Sequence, residues 1–270
     1  MNPPVPEAID HAADLLPPLV RGRLTGFRRV PWTVPLNTAD VSRWEGPTGQ
    51  VAVLKVGRLL APERDRLVWL AGRLPVPRVL AFDRRDDLDF LLMTELLGLQ
   101  GADRAIVARP ELLVDGLAAA VRAVHGVPTA DCPFDARTEQ LLAVATARPH
   151  GQLRAEDIDP RYLYRQPVEL LADLNRLRPT TEDLVFTHGD PSVVNFLFND
   201  DAVTGIIDWG LAGIGDRYRD LAIAARSITL NVGMSWVGRF FSAYGVKYDR
   251  RRVEFFALLD EFVMARPGSD

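Results

Sequence analysis

The chain reads as an α+β protein in which a strand-rich N-terminal part precedes a mainly helical C-terminal part, and three features lead to that reading. Short apolar runs of strand length, rich in valine and leucine, cluster between residues 51 and 96. From residue 110 onward, apolar residues return at i, i+3 and i+4 over long windows, the spacing that gathers them on one helix face. Between the two parts, "LLGLQGADR" at 96–104 carries two glycines directly after an apolar run, as a connector does. The expected division is therefore 1–95 and 96–270, with a hinge at about 94–98.

The elements follow in order. "VAVLKV" at 51–56 is a strand with one lysine, Lys55, near its end. "APERDRLVWLAGRL" at 61–74 is a helix: Pro62 and Glu63 suit its first turn, Leu67, Leu70, Ala71 and Leu74 recur at helical spacing, and Pro75 and Pro77 stop it. "RVLAFDR" and "DFLLMTEL" supply two further strands. "PELLVDGLAAAVRAVHGV" opens the helical part, and the windows near 167–177, 219–232 and 253–264 repeat its pattern. "NFLFND" and "VTGIIDWG" form a hairpin through an Asn-Asp-Asp turn.

With 270 residues, 47% hydrophobic content and 25% charge, the chain has the composition of a protein that buries a core. The formal charge of −4 is dispersed, so neither a nucleic-acid stripe nor a polybasic membrane patch is visible and a small-molecule partner fits better. A single cysteine, Cys132, excludes an internal disulfide, and His11, His125, His150 and His188 lie too far apart for zinc spacing. No apolar run approaches the ~20 residues of a membrane span, and the N-terminus lacks a basic region followed by an apolar core. The expectation is a soluble, cytoplasmic monomer.

One stretch interrupts this ordinary pattern. "FTHGDPSVVNFLF" at 186–198 sets His188-Gly189-Asp190 at the head of an apolar run and places Asn195 within it. Gly189 and Pro191 mark a turn, and local hydrogen bonding by Asp or Asn would explain the polar groups taken alone. A second aspartate, Asp208 in "IIDWG", follows at the end of the hairpin's second strand. Phosphoryl transfer needs such a set: one carboxylate to orient an attacking hydroxyl, and an amide with a second carboxylate to hold Mg²⁺ against phosphates. Protein kinases order these groups in the same way, with four residues between the Asp and the Asn. Nucleotide phosphates also need a fixed cation, which Lys55 supplies when anchored by Glu63.

These motifs, together with "VWLAGRLPVPRVLAF", "FLLMTELLG", "VHGVPTADCPFD", "GLAGIGDRYRDLAIAARSI" and "LLDEF", make the chain resemble the aminoglycoside phosphotransferases, particularly the 3'-phosphotransferases. The resemblance runs through most of the chain. It implies a two-lobed, protein-kinase-like α+β fold, with 1–95 as nucleotide-binding lobe and 96–270 as catalytic and substrate-binding lobe. By the same resemblance, Asp190 acts on the acceptor hydroxyl, Asn195 and Asp208 bind magnesium, and Lys55 with Glu63 holds the α- and β-phosphates of ATP or GTP. Adenine would meet the Thr94 carbonyl and the Leu96 N–H, with Ile207 beneath the purine, and Asn37 and Thr38 would lie in the loop over the phosphates. Asp157, Asp159, Asp260 and Glu261 are the acids that the resemblance assigns to the antibiotic acceptor, while Asp216 and Asp220 are framework residues.

The chain departs from the family pattern in four ways. The stretch "VPLNTADV" contains no glycine where the backbone must approach phosphate, and Leu211 stands where the 3'-enzymes commonly carry arginine. Aminoglycosides are polycations, yet residues 154–178 balance five acids against five arginines, with "PRYLYR" where further carboxylates are common. The chain also runs on beyond Glu261 as "FVMARPGSD". The primary expectation is thus an antibiotic kinase acting on an aminoglycoside. The alternatives are the same chemistry on a less cationic sugar, such as that of a nucleoside antibiotic, and a nucleotide-binding pseudokinase.

Overall fold

The structure is a computed structural model that describes residues 16–32, 40–147, 159, 161, 162 and 164–264. The chain divides into two compact units, Met1–Ala71 with Val76–Leu96, and Gly72–Pro75 with Leu97–Asp270.

The first unit is built on an antiparallel sheet. Its elements are α1 (Pro18–Arg23), β1 (Arg28–Val30), β2 (Asp40–Glu45), β3 (Val51–Gly57), α2 (Ala61–Leu70), β4 (Val79–Arg85) and β5 (Leu88–Thr94), and the strand order is β1-β2-β3-β5-β4. Because side chains alternate across a strand, the central β3 sends Ala52 and Leu54 to one face and Val53 and Lys55 to the other. The first face is apolar and packs with Trp44, Phe90 and Leu92 against Leu16, Val20 and Leu24 at α1. The second receives α2.

The start of α2 is fixed from the sheet. No side chain of its own caps it; instead the buried Asp89 of β5 accepts hydrogen bonds from the backbone N–H groups of Leu60 (2.8 Å) and Ala61 (3.2 Å). This carboxylate satisfies donors that every helix start leaves open. Burial raises the pKa of Asp89, but Arg84, whose Nε donates at 2.6 Å, and the two backbone donors hold the carboxyl below its ordinary range. Capping here sets Glu63 on the first turn, with Leu67 and Leu70 buried below it.

The helix is shorter than the sequence pattern suggests, ending at Leu70 instead of continuing to Leu74. Ala71 is extended (φ −55°, ψ 122°) and Gly72 takes φ 79°, so the backbone has left the helix before Pro75. A residue before proline is disfavoured in the helical region, which agrees with an early exit.

The second unit contains β6 (Leu99–Gln100), α3 (Arg104–Val107), α4 (Pro110–His125), α5 (Thr138–Ala147), α6 (Pro167–Leu177), β7 (Leu184–Thr187), β8 (Phe196–Asn199), β9 (Ala202–Ile206), β10 (Gly213–Asp216), α7 (Arg217–Val232), α8 (Val237–Tyr244) and α9 (Arg250–Met264). Its strands make two small antiparallel sheets, β6-β8-β9 and β10-β7. The hairpin β8–β9 turns through Asp200 at φ 52°, a left-handed conformation that Asp tolerates. α7 is buried over most of its length, and Ala222 of it joins Leu141, Leu170, Leu174, Phe255, Phe256 and Leu259 in a core shared with α5, α6 and α9.

Candidate active site

The catalytic-loop candidate begins where β7 ends. His188 is completely buried, and its backbone N–H and that of Gly189 donate to the two oxygens of Asp220, at 2.7 and 2.9 Å. Asp220 lies in the first turn of α7 and is itself inaccessible to solvent. Burial pushes its carboxyl up, but the hydrogen bond with His125 (3.0 Å) and the neighbouring His125, His188 and Arg219 outweigh burial and leave it below the usual carboxylate range. His125 reaches on to the Tyr244 hydroxyl (2.7 Å) and Tyr244 to Arg217 (3.1 Å), so the loop is anchored through three helices.

Gly189 is required by this geometry. Its φ is 89°, and a Cβ there would stand 2.4 Å from the carbonyl oxygen of Leu211. No other residue permits both the turn and the approach. Beyond it, Asp190 is half-buried, its Oδ1 accepting from Ser192 Oγ (2.5 Å) and its Oδ2 from Asn195 Nδ2 (3.2 Å). Two neutral donors thus orient this carboxylate.

Asp208 lies thirteen residues past Asn195 in sequence, but the backbone brings the two segments together. The N–H of Ile207 donates to the carbonyl of Asn195 (2.9 Å), and His188 Nε2 donates to the carbonyl of Ile207 (3.0 Å). The direction of the second bond follows from the first nitrogen: Nδ1 accepts the backbone N–H of Asp190 (3.2 Å), which leaves the ring proton on Nε2. His188 therefore ties Asp190 to Ile207 through one imidazole. Asp208 follows as an exposed residue at φ 65°. It is not at the end of a strand, as expected, because β9 stops at Ile206 and the backbone turns left-handed. Trp209, fully buried, fixes that turn by donating from Nε1 to Ile206 O (3.0 Å) and packing 4.4 Å from the His188 ring.

In the first unit, Lys55 Nζ and Glu63 Oε2 form an ion pair at 2.7 Å, with both residues buried. Thr94 is bound to Arg78 in both directions at 2.9 Å, through its own N–H and through its Oγ1. Glu95 is held by Arg43 (2.7 Å), and Thr94 and Leu96 are both half-buried. Asn37, Thr38 and Asp157 lie outside the described residues.

The three described acids expected on the acceptor side, Asp159, Asp260 and Glu261, are linked by hydrogen bonds, and each is paired with an arginine. Arg226 of α7 donates to Asp260 (2.7 Å) and Glu261 (2.8 Å), both buried. Glu261 also accepts the backbone N–H of Asp159 (3.1 Å), whose carboxylate is paired with Arg161 at 2.8 Å. Burial pushes the Asp260 carboxyl up to about 6 and also raises Glu261. Asp159 runs the other way, since its bonds to Arg161 outweigh burial. The sequence reading missed Arg219 and Arg226; the one available signal was a pair of guanidinium groups inside the otherwise apolar stretch of α7. Arg219 is 3% exposed and donates to the carbonyl of Leu211 (3.1 Å), the residue standing where an arginine was expected.

Known proteins of one family are similar to this chain in sequence and fold. The model of the phosphotransferase enzyme family (APH) matches residues 45–256. An aminoglycoside 3'-phosphotransferase from Niallia circulans is 35% identical over 225 residues, covering 79% of this chain and 84% of the relative. Among solved structures, an aminoglycoside-3'-phosphotransferase of type VIII superposes with a TM-score of 0.78 at 30% identity, covering 94% of this chain and 98% of that one. The aminoglycoside phosphotransferase APH(3'')-Id from Streptomyces rimosus, solved with ADP and streptomycin, gives a TM-score of 0.73 at 25% identity over 95% of this chain and 99% of that one. The kinase-like α+β fold, the order of the site residues and these similarities agree, and the chain belongs to the phosphotransferase enzyme family.

Proposed function

We propose that this protein is an antibiotic kinase that transfers the γ-phosphoryl group of ATP to a hydroxyl of an aminoglycoside. The observation that carries the reading is the single bonded assembly of Asp190, Asn195, Ile207 and His188, which holds one oriented carboxylate beside the segment leading into Asp208. Asp190 accepts the hydroxyl proton as the oxygen attacks phosphorus, and its hydrogen bonds to Ser192 and Asn195 keep it aimed. Lys55, braced by Glu63, holds the α- and β-phosphates. Thr94, Leu96 and Ile207 receive the purine, and Asn37 and Thr38 belong to the phosphate loop. GTP is the competing nucleotide.

The residues present suit Mg²⁺. Among the described residues no cluster of three His, Cys, Asp or Glu forms a protein-only metal cage, whereas Mg²⁺ in nucleotide enzymes uses one or two protein oxygens and completes its shell with phosphates and water. Asn195 turns its Nδ2 toward Asp190, leaving its Oδ1 as the amide oxygen for a cation, and Asp208 is an exposed carboxylate. When bound, the ion neutralises charge on the β- and γ-phosphates.

A second reading keeps the chemistry and changes the acceptor to a less cationic antibiotic sugar, such as that of a nucleoside antibiotic. It is favoured by the arginines bound to Asp159, Asp260 and Glu261, which cancel the negative potential a polycation would seek. No helix among the described residues is long and apolar enough to cross a membrane, and we take the working form to be a cytosolic monomer with lobes 1–95 and 96–270. The test is release of ADP from Mg·ATP with aminoglycosides and nucleoside antibiotics, alongside Asp190→Ala. Acceptor-dependent turnover that vanishes in the variant while nucleotide binding persists supports the assignment; undiminished turnover overturns it.

A further inference from the structure

Arg219 is a buried cation beside the catalytic-loop candidate. It sits on α7 immediately before Asp220, 3% exposed, and among the described residues its one hydrogen bond is to the carbonyl of Leu211 at 3.1 Å. It has no described carboxylate oxygen in ion-pair reach, unlike Arg226 on the same helix, which binds two. Burying a guanidinium without a bonded anion disfavours the fold, and the desolvation is visible as a pKa held below the usual arginine range. A neutral residue of similar shape would avoid that cost.

Its surroundings suggest why the charge is there. The carboxylates acting on it are, in order of strength, Asp220, Asp260 and Asp190. Asp220 holds the backbone of His188 and Gly189, Asp260 is bound to Arg226, and Asp190 is the proposed catalytic carboxylate. The Leu211 carbonyl that Arg219 grips is the same oxygen that a Cβ on Gly189 would meet at 2.4 Å. One guanidinium therefore both clamps the segment after Asp208 against the catalytic loop and supplies positive charge among three carboxylates that would otherwise repel one another.

We propose that Arg219 is a positioning residue for phosphoryl transfer, a tethered buried cation whose charge keeps the Asp190 loop and the Leu211 segment in their reactive arrangement. The proposal rests on the reading of Asp190 as the acceptor-activating carboxylate. It predicts that charge at residue 219, not packing alone, governs turnover.

Three variants separate the two effects: Arg219→Met keeps volume without charge, Arg219→Gln keeps a shorter donor without charge, and Arg219→Lys keeps charge without the planar fork. Each is assayed for kcat, nucleotide KM and Tm, with Asp190→Ala as control. We expect Met and Gln to lose about tenfold or more in kcat with nucleotide KM unchanged, and Lys to retain more activity than either. Met should melt at or above the parent temperature, so that activity and Tm rank in opposite orders. If turnover follows Tm across the three, or if Met is as active as the parent, Arg219 is only a packing residue and the proposal is wrong. If Asp190→Ala is itself active, the reading of Asp190 fails first, whatever the Arg219 variants do.

Discussion

Two groups of carboxylates in the second unit are held in opposite ways. Asp190 is oriented by a hydroxyl and an amide, both neutral, so its charge stays available to an incoming hydroxyl. Asp159, Asp260 and Glu261 are bound by guanidinium groups from Arg161 and Arg226, so their charge is already answered within the fold. The difference teaches that carboxylates with one formal charge can serve unlike ends: the first is oriented with no cation bonded to it, while the second are neutralised by bonded arginines, with Asp260 and Glu261 in the interior.

Gly189→Ala breaks the first group most severely. A Cβ at φ 89°, 2.4 Å from the Leu211 carbonyl oxygen, forces the loop to move. We expect a stability loss of about 3 kcal/mol and a fall in kcat of about 100-fold or more, since small misplacements of a reacting group are costly. Chemical denaturation and steady-state kinetics measure the two effects, and an unchanged kcat would show that the loop tolerates displacement.

Asp260→Asn probes the second group through pH. The folded-state pKa of Asp260 is raised from 3.8 to about 6 by burial, with Asp190 adding to the rise against Arg226 and Arg219. Between those values the folded state holds more protons than the unfolded one, so this carboxyl's contribution to stability is full below the unfolded pKa and is lost as pH rises through about 6. Removing the titrating group should flatten that part of the profile by roughly 3 kcal/mol. Melting temperatures of parent and variant across the acidic range check it: parallel profiles would contradict the assignment.

Arg161→Ala is the mildest change and sharpens the contrast from the acceptor's side. It leaves the Asp159 carboxylate without its guanidinium at 2.8 Å and adds local negative charge. Because the arginine is exposed, stability should move by no more than about 0.5 kcal/mol. The KM of a polycationic acceptor should fall by about two- to fivefold at low salt, a gain that added salt removes. A KM that does not respond to the substitution would place Asp159 outside the acceptor surface.

How far the sequence could be read follows the same divide. Asp190, Asn195 and Asp208 were legible because their order along the chain is itself the signal, and Lys55 and Glu63 because strand and helix spacing put them on facing elements. The arginine partners were not, since Arg226 meets acids 34 and 35 residues away, a pairing that only the packing of α7 on α9 creates. The strand β10 was hidden for a different reason. Its "GIGD" looks like a loop, yet Gly213 and Gly215 are needed because a Cβ would stand 2.9 Å from Phe134 O and 2.7 Å from Ala136 O. Glycine there serves close backbone packing within a strand. The overlong α2 failed at Gly72, where apolar spacing continued in sequence after the backbone had turned away.

The measurement that bears most directly on the account is ADP release from Mg·ATP and Mg·GTP, with kanamycin-type aminoglycosides, nucleoside antibiotics and macrolides as acceptors, compared between the parent and Asp190→Ala. The account predicts acceptor-dependent release by the parent and its loss in the variant, with Mg²⁺-dependent nucleotide binding kept by both. Release that Asp190→Ala sustains at the parent rate, or nucleotide binding that no acceptor converts to turnover, would contradict it.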